Sequence, residues 1–148
     1  MICIKKKFEG GSTLKQNDFG TLFIRMILGA IFTIHGFDKF KEGIQETIGR
    51  FEDYGIPYAE YVAFGVAGVE LIGGFFLIIG FSTRFIAALL AIIMIGAIVK
   101  VRFELGFING YEFNLALLAM SLYLLFGGSK MMALDNFLGQ SKKKKKYS

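Results

Sequence analysis

From Phe85 to Val99 the chain carries no charged residue, and Arg84 and Lys100 stand at the two ends of this run. A bilayer core is about 30 Å thick and takes roughly 20 helical residues, a few less where end residues snorkel, so this block has the length and flanks of a membrane span. Three other blocks are comparable: Phe19 to Lys39, Ala59 to Phe81 and the shorter Tyr111 to Gly128. The 54% hydrophobic content of the 148 residues is gathered into these four blocks, as a soluble core does not require. The sequence therefore predicts an all-α protein, a transmembrane four-helix bundle. The domain reading is a basic tail over 1–18, a four-span domain over 19–137 and a polybasic tail over 138–148.

The amino-terminal lysines followed by an apolar run superficially resemble a signal peptide. That run is too long for one and no small-residue cleavage site follows it, so it reads as a retained first span. Lys5, Lys6, Lys7, Lys15, Arg84, Lys130 and the run Lys142 to Lys146 fall on one side of the membrane, and the smaller set Lys39, Lys41, Arg50, Lys100 and Arg102 on the other. The positive-inside rule then places both termini in the cytoplasm. The formal charge of +5 sits largely in the tails, which suits anionic lipid and not nucleic acid. Cys3 is the one cysteine and His35 the one histidine. That excludes an internal disulfide, a C-x-x-C redox pair and an ordinary zinc set, and no metal, haem or nucleotide is indicated.

Between the first two spans, Phe40, Ile44, Ile48 and Phe51 recur at helical spacing, which predicts a short amphipathic helix at the outer interface. Gly55 and Pro57 end it and begin the second span.

Ionisable groups inside a span need a partner or a cavity. Arg25 shares its helix face with Gly29, Phe32, Gly36 and Lys39, and Glu70 shares its face with Ala63, Ala67, Gly73 and Gly74. Both faces suit close contact with other helices. Arg25 is the one base expected at the depth of Glu70, so a buried Arg25–Glu70 pair is predicted, with Tyr123 as a hydroxyl donor. Such a pair can fix helix register or form a ligand or proton site. A second group, His35, Lys39, Glu112 and Asn114, lies toward the outer surface. With Glu70 these are the candidate ligand-binding residues, able to hold an anion or the polar head of a ring ligand. No catalytic residue is assigned.

The run RMILGAIFTIHGFDK from Arg25 to Lys39, then Gly55-Ile56-Pro57, Glu70-Leu-Ile-Gly-Gly, Gly80-Phe-Ser-Thr-Arg84 and Leu134-Asp135, resembles the DoxX family of small bacterial and archaeal membrane proteins over roughly residues 19 to 137. The resemblance implies a four-helix bundle in the cytoplasmic membrane. It also implies a link to quinone-dependent redox systems, including a membrane subunit of a thiosulfate:quinone oxidoreductase and complexes that counter oxidative stress. The family's terminal Ser-Leu-Asp is Ala133-Leu134-Asp135 here, without the serine hydroxyl. The first functional expectation is thus a membrane subunit of a quinone-linked complex, with quinone as cofactor and a soluble oxidoreductase as partner. The alternatives are a non-catalytic anchor or assembly factor, and a small transporter with Glu70 as proton relay.

Overall fold

A computed structural model describes the backbone of residues 5–41 and 43–128, and the side chains of residues 18–41, 43–103 and 105–128. Five α-helices follow one another: α1 (Lys5–Lys41), α2 (Ile44–Asp53), α3 (Ala59–Ile79), α4 (Thr83–Ala97) and α5 (Glu112–Gly127). Among the described residues there is no strand. The four long apolar segments are Asp18–Lys41, Ala59–Ile79, Thr83–Arg102 and Phe107–Gly127, within a few residues of the expected spans. Helix α1 begins at Lys5, so the basic amino-terminal stretch continues the first span as helix from that point. The carboxy-terminal lysine run and Leu134-Asp135 lie outside the described residues.

The chain turns where its glycines allow it. At the end of α3 the Phe81 N–H reaches the Phe76 carbonyl at 2.9 Å and the Gly80 N–H the Leu77 carbonyl at 3.1 Å. Gly80 sits at φ 77°, a left-handed conformation that costs a residue without Cβ little. The rings of Phe76 and Phe81 then pack edge-on with centroids 5.3 Å apart, closing the apolar side of the turn. The end of α2 repeats the pattern, with Ile56 bonded to Phe51 and Gly55 to Glu52. The expected short helix is therefore present. It lays Ile48, flanked by Ile44 and Phe51, onto Ala59 and Ala63 in the first turns of α3, and Phe40 of the expected stripe belongs to α1.

Around the bundle α1 packs on α3 and α5, and α4 packs on the same two helices, so α1 and α4 stand diagonally. Leu28 and Phe32 of α1, Leu77 of α3, Leu90 and Met94 of α4 and Leu117 and Leu124 of α5 fill the centre. The contact of α1 with α3 is extensive and that with α5 is sparse. The outer surface is strongly apolar, with Phe23, Ile34, Ile92 and Phe126 exposed, as a bilayer-facing surface must be.

Candidate functional site

The register of α1 on α3 is set by backbone contact. A Cβ on Gly74 would lie 2.5 Å from the Thr33 nitrogen and 2.7 Å from the Gly29 carbonyl oxygen, and one on Gly36 would lie 2.3 Å from the Leu71 nitrogen. Only hydrogen fits at these positions, and the small residues let the helices touch over about two turns. Thr33 adds no unsatisfied hydroxyl, because its Oγ1 donates to the Gly29 carbonyl at 2.7 Å.

This antiparallel register brings Lys39 of α1 level with Glu70 of α3. The Lys39 Nζ donates to Oε2 of Glu70, and the two side chains are 24% and 4% exposed. Each charge alone would be costly among apolar helices, and together they are neutral and hydrogen-bonded. An ammonium has three N–H donors, of which Glu70 takes one, and the Lys39 side chain is partly open.

The expected Arg25–Glu70 pair is not formed, because Glu70 is engaged by Lys39. Arg25 is 1% exposed and lies fourteen residues before Lys39, roughly 20 Å along α1, at the end of the bundle where α3 stops. Counting depth inward from the end of each span put Arg25 and Glu70 at one level. The glycine contacts instead slide α1 along α3. Tyr123 is also at the Arg25 end, with its hydroxyl 2.9 Å from the Thr21 Oγ1.

The second group divides. His35, one turn before Lys39, is exposed, and its ring meets Phe113 of α5 with centroids 6.0 Å apart and planes tilted by 58°. Glu112 is exposed, and its Oε1 accepts the Asn109 N–H at 3.1 Å, tying the start of α5 to the bend that precedes it. Asn114 is half-buried and its Nδ2 donates to the Met94 sulfur at 3.6 Å. The structure thus pairs Lys39 with Glu70 and sets the unexpected Phe113 against His35 one turn away, while Glu112 and Asn114 have other partners. Phe113 follows Glu112 directly, and only the packing of α1 on α5 marks it.

The sequence model of the DoxX family matches residues 20–102, which hold the glycine contacts and the Lys39–Glu70 pair. The chain belongs to the DoxX family. Among relatives, a Bacillus subtilis protein named "Putative oxidoreductase CatD" is 40% identical over 129 residues, which are 87% of this chain and 94% of that one. An uncharacterized membrane protein of Mycobacterium tuberculosis is 32% identical over 130 residues, 79% of this chain and 80% of its own. An uncharacterized protein of Haemophilus influenzae is 31% identical over 129 residues, 82% and 92% of the two chains. No solved structure matches the chain. The DoxX match stops short of α5, so Phe113, Glu112 and Asn114 lie beyond it.

Proposed function

We propose that this DoxX protein is a membrane subunit of a quinone-linked redox complex and that it holds the quinone ring beside His35 and Lys39. The observation that carries the reading is the partly open Lys39 side chain, its ammonium held by the buried Glu70 carboxylate one turn from the exposed His35 ring. A bound quinone supplies a carrier for two electrons and two protons. The donor set suits its carbonyl oxygens: Lys39 offers N–H donors beyond the one used by Glu70, His35 offers a ring nitrogen, and Phe113 offers an apolar ring wall.

Each residue has a distinct task in this reading. Lys39 donates a hydrogen bond to a carbonyl oxygen and stabilises negative charge developing there. Glu70 balances the ammonium charge and holds its position on α3. His35 exchanges a proton at the ring edge, for which its chemistry is suited. The electrons come from a soluble oxidoreductase partner. The Bacillus subtilis relative's name points to the same class of chemistry. The lysine and arginine distribution supports a cytoplasmic position for both termini and contact of the basic tails with anionic lipid.

The test is quinone extraction from the purified full chain in lipid nanodiscs, followed by titration with a short-chain quinone. The wild-type chain is expected to bind, and Lys39→Met to bind at least tenfold more weakly with its melting point monitored. Failure of the wild-type chain to carry or bind quinone, alone or with its neighbouring proteins, overturns the proposal.

The same ion pair supports a second reading, a non-catalytic anchor in which Lys39 and Glu70 only lock α1 to α3. The double replacement Lys39→Met with Glu70→Leu separates the two. An anchor keeps its function when the locked pair is exchanged for apolar contacts, whereas a quinone site does not.

A further inference from the structure

The passage from α4 to α5 is built unlike the other turns. After Ala97 the helix loosens into a π-turn (Ile98–Arg102), tightens into a 3-10 turn (Phe103–Leu105) and passes through an irregular stretch (Phe107–Tyr111) before α5. The apolar span that begins at Thr83 ends at Arg102, and the next begins at Phe107, so residues 103–106 alone separate them. Phe103 is 68% exposed and Ile108 75%, with Leu105 and Phe107 also more than half exposed.

Phe103, Phe107 and Tyr111 form an aromatic knob. The rings of Phe103 and Tyr111 stack within 15° of parallel at 6.3 Å, and Phe107 meets Tyr111 edge-on at 5.5 Å. Three backbone donors pair locally: Gly106 to the Phe103 carbonyl at 3.3 Å, Tyr111 to the Gly106 carbonyl at 3.2 Å and Asn109 to the carboxylate of Glu112, the first residue of α5. Internal pairing of this kind is what backbone needs to leave water. Exposed Lys100 and Arg102 flank the knob, cations complementary to phosphate. The turn around α2, on the same side of the bundle, is richer in acid, presenting Glu46, Glu52 and Asp53 beside Lys41 and Arg50.

We propose that the segment from Lys100 to Tyr111 is an interfacial anchor seated in the phospholipid headgroup layer, with Phe103, Leu105, Phe107 and Ile108 in lipid and Lys100 and Arg102 beside the phosphates. In water the same side chains would form a contiguous apolar patch of the kind that drives aggregation. The anchor does not rest on the quinone reading, and either can fail without the other.

The test places an environment-sensitive fluorophore at Ile108→Cys in the full chain, with Cys3→Ser removing the native thiol, in phospholipid vesicles. The expected result is blue-shifted emission, quenched by lipid carrying a spin label near the headgroup and untouched by aqueous iodide. The same label at Glu52→Cys is expected to be quenched by iodide. Leu105→Cys serves as a second position should Ile108→Cys fold poorly. Quenching of the knob label by iodide overturns the proposal, and so does protection from both quenchers, which would mean that protein covers it.

Discussion

Lys39 of α1 donates a hydrogen bond to Glu70 of α3, thirty-one residues later, and the pair sits at one end of the stretch where Gly29, Gly36 and Gly74 bring the two helices into backbone contact. The ion pair therefore depends on the packing as much as the packing depends on it. Its two members are unequal: Glu70 is almost fully enclosed, and Lys39 keeps a partly open path outward.

That inequality predicts an asymmetric mutational response. Breaking a buried pair costs about 3–5 kcal/mol when the remaining charge is stranded. Lys39→Met leaves the enclosed Glu70 carboxylate stranded and is expected to destabilise more than Glu70→Leu, because the lysine can turn its head outward. The double replacement is expected to recover most of the loss. Thermal unfolding of the four proteins in one detergent checks this, and simple additivity of the two single effects would contradict it.

The glycine contacts predict a sharp positional contrast. Gly74→Ala drives a methyl group against the Thr33 and Gly29 backbone, which cannot yield as a flexible side chain would, and is expected to cost about 1–3 kcal/mol or more. Gly68→Ala meets nothing within 4 Å and is expected to be neutral or to gain up to about 1 kcal/mol from helix propensity. Melting temperature and the monodispersity of the purified protein report the difference.

At the other end of α1, the Thr21–Tyr123 hydroxyl bond is a direct polar tie between α1 and α5. Tyr123→Phe is expected to destabilise by about 0.5–1.5 kcal/mol. A double-mutant cycle with Thr21→Val should show coupling, because each single change already removes the same bond.

The carboxylates of Glu70 and Glu112 are expected to behave oppositely toward quinone. Glu112→Gln should leave short-chain quinone affinity within about twofold, since its carboxylate is engaged by the Asn109 N–H, whereas Glu70→Gln should weaken binding about tenfold by releasing Lys39. Titration of both variants in nanodiscs measures this, and equal effects would remove Glu70 from the site.

Much of the architecture follows from one-dimensional properties. Span number and approximate ends depend on how many apolar residues lie between charges, and the stop of α2 on Gly55, whose left-handed conformation the sequence signals. The amphipathic α2 was legible for the same reason, since its apolar face repeats every third or fourth residue. His35, Lys39 and Glu70 could each be singled out as charges or polar groups in costly surroundings.

Which of these groups meet was decided only in three dimensions. Facing helices can slide by a turn or more without altering either hydrophobic pattern, so depth counted along each span assigned Arg25 to Glu70. The actual register follows from Gly29, Gly36 and Gly74, where the absence of a side chain permits one close approach and fixes Lys39 as the partner. Glu112 shows the same limit on a smaller scale. Spacing along the chain groups it with His35 and Lys39, but the chain bends through Ile108, Asn109 and Gly110 just before it, and the carboxylate turns back to the Asn109 N–H. Composition and period determined four helices and their polar inventory; close packing between them determined which charges share a site.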